Sequence, residues 1–181
     1  MKKIALVAGL AAAVAGTASA DVTVTFTNQT WTGFNFTDLS AAYGGFSGTL
    51  TGVSVNATLN ASTNFTYADD LCVYVDVAPL STGGLLQVGG FSNLNALQRV
   101  SWANGASSAP GTTVIDSKSV NAISFSGTSA DATIWLGNGY GASGTSGTWT
   151  GSITLIGVNA VPAPGAIALV GLAGLAGRRR R

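Results

Sequence analysis

The chain has 181 residues, 25 of them glycine, with eight Lys and Arg against seven Asp and Glu and no histidine. Its formal charge of +1 hides a segregation: Lys2, Lys3 and Arg178 to Arg181 lie in the two ends, so residues 21–160 hold only Arg99 and Lys118 against all seven aspartates, a net charge of −5. That balance excludes a basic groove for phosphate backbones, and with it nucleic-acid binding; the lack of histidine removes the usual general base and zinc sites built from His and Cys.

In chain order, the first element is an export signal. Lys2 and Lys3 form a positive start, Ile4 to Val14 an apolar run, and Ala18-Ser19-Ala20 a small-residue cleavage site, so residues 1–20 read as a signal peptide for the Sec export machinery and the mature chain begins at Asp21. Residues 21–160 then suffice for one domain with its own core. Val22, Val24 and Phe26 alternate with threonines, and Val53, Val55, Ala57 and Leu59 with polar partners, which is the period of half-buried strands. The same period recurs at Val73, Val75 and Val77 against Cys72, Tyr74 and Asp76, at Ile123 and Phe125, at Ala132, Ile134 and Leu136, and at Trp149, Gly151, Ile153 and Leu155. In the last of these the shift to Ile156 and Val158 marks a bulge. Helical period is missing from the domain, apart from a short turn at Asn93 to Arg99. Gly44-Gly45, Asp69-Asp70, Gly83-Gly84, Gly89-Gly90, Ala109-Pro110-Gly111 and Gly137 to Gly141 supply turn chemistry at spacings typical of a sandwich. These elements predict an all-β, antiparallel β-sandwich, jelly-roll-like in topology, flanked by the signal peptide and a C-terminal hydrophobic helix. The single cysteine, Cys72, lies in the apolar run Leu71 to Val75 and reads as a buried small hydrophobe.

Residues 161–181 form the third unit: Pro162-Ala163-Pro164, an uncharged apolar stretch, and Arg178, Arg179, Arg180 and Arg181. As a helix the stretch Val161 to Gly177 reaches roughly 25 Å at ~1.5 Å per residue, short of the about 30 Å hydrocarbon core. The arginines act as a membrane stop and leave the preceding domain outside the inner membrane. The three-part pattern resembles the PEP-CTERM sorting signal of exported bacterial proteins, with Ala163 where that signal usually has glutamate; the chain contains no glutamate at all. The resemblance implies transient retention in the inner membrane, cutting near Pro162-Ala163-Pro164 by an exosortase-like enzyme, and delivery to the cell surface or extracellular space. A plain C-terminal membrane anchor is the other reading of the same residues.

A second resemblance concerns the central domain. Tyr67-Ala68-Asp69-Asp70-Leu71 before one strand and Gly147-Thr148-Trp149 opening a late one are similar to the proprotein convertase P domain and its galactose-binding-like relatives. There an Asp-Leu pair opens a core strand and a Gly-x-Trp unit opens a late one. This implies a jelly-roll fold and no catalytic residue.

No catalytic constellation and no cofactor site stand out in the sequence. Calcium is the only metal with suitable oxygen donors, in Asp69, Asp70, Asp76 and Asp131, although no Asp-x-Asp-x-Asp loop joins them. Trp135, on the polar side of its strand, and Tyr140, in a glycine-rich loop, are the candidates for stacking against a sugar ring. Five Asn-x-Ser/Thr sequons, beginning at Asn28, Asn35, Asn56, Asn60 and Asn64, read as a Thr/Asn-rich strand surface. The function expected from these features is that of an exported, non-enzymatic cell-surface or extracellular-matrix protein with a structural or adhesive role. The alternative is a carbohydrate-binding, lectin-like module with extracellular polysaccharide as its partner.

Overall fold

The computed structural model describes residues 21–76 and 83–161. The signal peptide with Ala18 and Ala20, the Pro162-Ala163-Pro164 motif, the apolar stretch after it and the four terminal arginines lie outside the described residues. Among the described residues no helix is long and apolar enough to cross a membrane.

The chain is mostly β. Four long strands, β1 (Val22–Thr32), β3 (Phe46–Thr63), β7 (Thr113–Ser126) and β9 (Ser146–Ala160), form an antiparallel sheet in the order β1-β9-β3-β7. Five shorter strands, β2 (Phe36–Asp38), β4 (Leu71–Asp76), β5 (Leu86–Val88), β6 (Gln98–Val100) and β8 (Thr133–Asn138), form the second sheet in the order β2-β8-β4-β5-β6. All of its pairs are antiparallel except β5 with β6, which run parallel. The chain changes sheet at nearly every step; β4, β5 and β6 are the consecutive strands that stay in one.

Alternation explains the long strands. On β3, Val53, Val55, Ala57 and Leu59 are buried while Asn56 and Asn60 face solvent. On β9, Trp149, Ile153 and Leu155 are buried in the same way. Inward side chains from both sheets, including Leu50, Val55 and Ile153 from the first and Val73, Leu86 and Ile134 from the second, belong to one hydrophobic cluster. Each such fully buried side chain is worth about 1.5–3 kcal/mol of apolar transfer. The outward face of the first sheet is a hydroxyl surface, where Thr23 bonds Thr154 at 2.9 Å, Ser54 bonds Ser117 at 2.8 Å, and Thr30 bonds Thr148 at 2.7 Å. The sequons at Asn28, Asn56 and Asn60 lie on the strands of this surface, and Asn60 Nδ2 donates to Asn28 Oδ1 and to Thr150 Oγ1 at 2.7 Å.

The irregularity expected near Ile156 is present, but the extra residues lie on the partner strand: Gly48 pairs with Val158 and Gly52 with Ile156, so β3 inserts more residues than β9 across the gap. The Gly147-Thr148-Trp149 unit has a steric basis. The Trp149 ring folds over Gly147, where an added Cβ would meet ring carbons at 2.1 to 2.7 Å, and its indole N–H donates to the Ala68 carbonyl at 3.2 Å. The late strand and the turn before β4 are thereby joined across the core.

Three sequence expectations need correction. Strand β4 is buried on both sides rather than half-buried, because the segment after β5 lies over its outer face: the Tyr74 hydroxyl donates to Leu94 O at 3.0 Å, and Gln87 Nε2 donates to Ser92 O at 2.7 Å. The turn expected over Asn93 to Arg99 instead leads into β6, which Gln98–Val100 forms by parallel pairing with β5. A short helix, α1 (Leu39–Tyr43), also appears where no helical period is legible. Asp38 caps it by accepting from the Ala41 N–H at 2.8 Å, and Gly44 closes it with φ of 76°.

Candidate functional site

An open cleft of about 570 Å³ lies where four chain turns meet at one end of the molecule. Phe65, from the loop after β3, contributes to its rim, as do Phe91, from the turn after β5, and Tyr140, from the loop after β8. Asp69 and Asp70 line it from a 3-10 turn, Ala68–Asp70, directly before β4. Trp102 and Arg99 complete it from the chain at and beyond β6.

Asp70 ties these turns together. Its Oδ2 accepts the Tyr67 N–H at 2.7 Å and its Oδ1 the Phe91 N–H at 3.0 Å, so one buried carboxylate fixes both the β3–β4 and the β5–β6 connections. Main-chain bonds continue the weave, from Gly90 N to Asp69 O at 2.9 Å, Gly139 N to Asp70 O at 2.7 Å, and Ser92 N to Gly139 O at 2.9 Å. The backbones at Gly90 and Gly139 are in close approach: a Cβ on Gly139 would lie 2.5 Å from the Gly90 Cα. Two glycines are what allow the two loops to cross. Trp102 is held from below, its indole N–H donating to Leu71 O at 2.7 Å.

The rim is apolar and exposed. Phe65 and Phe91 are 76% and 74% exposed, values that a side chain serving only the core would not show. Phe91 and Tyr140 meet edge to face, their centroids 5.6 Å apart at 84°. Phe65 has φ of 62° and follows Asn64 at 49°, two successive left-handed residues. They are the central residues of a turn closed by the Thr66 N–H on Thr63 O, and for a residue as bulky as Phe65 this conformation costs on the order of 1–3 kcal/mol. Asn64 stabilises it, its side-chain amide donating to Gly144 O at 3.1 Å. Arg99 donates through one guanidinium nitrogen to the Phe91 and Gly90 carbonyls, so its charge is anchored to the rim.

The electrostatics follow from burial. Loss of solvent pushes the Asp70 carboxyl up to about 6; the neighbouring Asp69 charge adds to this, while the N–H groups of Tyr67 and Phe91 act against it. Asp69 is raised as well, mainly by burial. Cys72 lies beneath the floor, its Cβ near Gly90 and Gly139; burial first, and then the Asp70 charge, push its thiol far up, so it is an inert packing group.

The residues singled out from the sequence fall in several places. Tyr140 lines the cleft. Trp135 does not: it sits on β8 between Asp38 and Tyr74 in the register, half-buried, with its indole N–H enclosed and without a hydrogen-bond partner. Among the calcium candidates, Asp69 and Asp70 are in the cleft, whereas Asp76 is buried at the far end of β4. Asp131 belongs to the β7–β8 turn, where it accepts from the N–H groups of Ser126 and Gly127 at 2.8 Å and of Thr128 at 3.0 Å. Among the described residues no three of His, Cys, Asp and Glu gather as a metal-binding group. Phe65, Tyr67, Phe91, Trp102 and Arg99 were not chosen as site residues from the sequence. The one local signal was an aromatic residue placed directly after a turn, in Asn64-Phe65 and Gly90-Phe91.

No family model matches the chain, and neither a curated protein nor a solved structure does.

Proposed function

We propose that the chain is an exported, non-enzymatic adhesive module of the bacterial cell surface or extracellular matrix, and that its aromatic cleft binds a saccharide. The observation that carries this reading is the cleft itself, in which exposed Phe65 and Phe91 and half-buried Tyr140 surround polar groups within about 570 Å³. A pyranose presents C–H groups on its faces and hydroxyls at its edge. Rings on the rim with carboxylate and carbonyl oxygens beside them match both, and the volume lies in the about 300–1,000 Å³ range of small-ligand sites.

A jelly-roll β-sandwich as the scaffold is supported by the strand order. Counting β6 as an addition to the edge of the second sheet, the orders β1-β9-β3-β7 and β2-β8-β4-β5 are those of two four-stranded sheets wound as a double Greek key. The likeness to P-domain and galactose-binding-like folds is supported by Asp70-Leu71 opening β4 and by the Trp149 indole bonding back to Ala68. Delivery rests on the terminal segments: passage through Sec, a brief stay in the inner membrane, and exosortase-like cutting near Pro162-Ala163-Pro164. Mass spectrometry of the exported protein tests this, with new termini at Asp21 and close to Pro164 as the expected result.

The binding reading is tested by presenting the exported protein to a glycan array and repeating it with Phe91→Ala. The expected outcome is a restricted set of glycans whose signal falls at least about tenfold in the variant, as loss of an anchoring aromatic ring would give. An array without hits would overturn it.

A structural role through self-association is a second reading, favoured by one feature. Edge strand β1 runs for 11 residues without a charged side chain, an open template for strand addition, whereas the opposite edge, β7, carries Asp116 and Lys118. Concentration-dependent size-exclusion chromatography tests it.

A further inference from the structure

Resting on the saccharide reading above, we propose that the glycan bound in the cleft is cationic, a hexosamine bearing a free amino group, whose ammonium sits against Asp69 within the ring of aromatic side chains. The argument is one of which charges are already committed. Both oxygens of Asp70 are taken by the N–H groups of Tyr67 and Phe91. Arg99, the cation of the cleft, donates to the carbonyls of Gly90 and Phe91 and forms no ion pair with either carboxylate, so its single charge leaves the lining net negative beside Asp69 and Asp70. Lys118, the other cation of the described residues, is paired with Asp116 at 2.9 Å. The Asp69 main chain is bonded to Gly105 and Gly90, and its carboxylate has its own N–H as a partner but receives no hydrogen bond or ion pair from another described residue. It is half-buried in the cleft nonetheless.

A ligand entering the cleft removes further water from that carboxylate. A neutral sugar leaves it desolvated with only hydroxyl partners, which weakens binding. A uronate brings a third carboxylate beside Asp69 and Asp70, against one cation at Arg99, and is disfavoured by that balance. An ammonium supplies the missing counter-charge, and the aromatic lining of Phe65, Tyr67, Phe91 and Tyr140 offers it ring quadrupoles to sit against. The module as a whole favours the same sign, since residues 21–160 carry two cations against seven aspartates.

The experiment is calorimetric titration of the exported protein with glucosamine oligomers, with their N-acetylated counterparts of equal length, and with galacturonate oligomers, in buffer at neutral pH, where the cleft carboxylates are ionised and a large share of the amines is protonated. Free-amine oligomers are expected to bind about tenfold more tightly than acetylated ones, the size of one ion pair reinforced by aromatic contact. In Asp69→Asn this preference should collapse to within about twofold, whereas Ser54→Ala, on the hydroxyl surface, should keep it in full. Equal binding of free and acetylated oligomers, or a preference that survives in a folded Asp69→Asn protein, overturns the cationic assignment and leaves the saccharide reading standing. Binding of none of the three oligomers, with hits on other glycans in the array, likewise rejects it. An array without hits removes the saccharide reading itself.

Discussion

The two sheets differ most in their outer faces. Along the first, the register places Thr23, Thr154, Ser54 and Ser117 in one row across all four strands, each open to water in part or in full. Along the second, the equivalent row is Trp135, Tyr74, Gln87 and Arg99, and its middle two members are fully buried beneath the segment that follows β5 as far as Leu97, with Gly84 also against Tyr74. Carboxylates follow the same division. Near the first sheet, slight burial of Asp116 and Asp131 works upward, but hydrogen bonds, from Lys118 and from Ser126 respectively, outweigh it and hold both below the ordinary range. At the end of the second, burial dominates and Asp69 and Asp70 are raised. One sheet therefore ends at a wet surface of short side chains, while the other carries a second layer of chain, and the cleft forms where that layer turns back.

This contrast can be broken most severely at Tyr74. Its ring packs on Gly84 and its hydroxyl bonds Leu94, so Tyr74→Ala should cost about 3–5 kcal/mol of unfolding free energy in urea titration. A loss below about 1 kcal/mol would mean that the covering segment is only loosely attached. Asp70→Asn comes next and sharpens the electrostatic half of the contrast. A carboxyl raised to about 6 binds its proton more tightly in the folded chain, so its contribution to stability is full below about pH 4 and lost as pH rises through 6. The difference in stability between the parent and this variant should thus shift by about 3 kcal/mol in the parent's favour on going from neutral to acid pH, read from denaturation midpoints at the two pH values. Gly139→Ala inserts a methyl group where Gly90 and Cys72 already touch, and should cost about 1–3 kcal/mol while also weakening the proposed glycan binding. The smallest effect is expected at Ser54→Ala. Its exposed hydroxyl pair with Ser117 should change the melting free energy by no more than about 0.5 kcal/mol, and a larger loss would show the hydroxyl rows to be structural.

The all-β class was legible because the long strands alternate: Val22, Val24 and Phe26, or Val53 to Leu59, can satisfy a buried and a wet face only as strands. Strands β2, β5 and β6 were not, since three residues are too few for a period, and β6 is defined by its parallel pairing with β5. The five-residue helix α1 fails the same way, although Asp38, Ala41 and Gly44 spell its caps. Trp135 was picked for lying opposite inward-facing Ile134 and Leu136; that argument assumes an outer face open to water, and on the second sheet the outer face is partly covered. Tyr140 was found because its loop is rich in glycine. Phe65 and Phe91 depend on left-handed backbone at Asn64 and Phe65 and on the crossing of Gly90 and Gly139, which are relations between turns distant in sequence.

The antiparallel pairing of β1 with β9 has a directional consequence. Val22 lies opposite Leu155 and Thr32 opposite Ser146, so the chain enters the sheet and leaves it at the same end, where Asp21 also accepts from the Gly157 N–H. Phe65 and Tyr140 belong to the other end, beyond the Thr63–Ser146 pair. The fourteen steps of β9 span roughly 45 Å at about 3.3 Å per residue. A tether attached through either flank thus holds the module like a stalked cup, mouth outward. On the proposed saccharide function and delivery route, capture would be open to a precursor held at the membrane as well as to the released form, and cutting the tail would change where the mouth can travel without changing what it can grip.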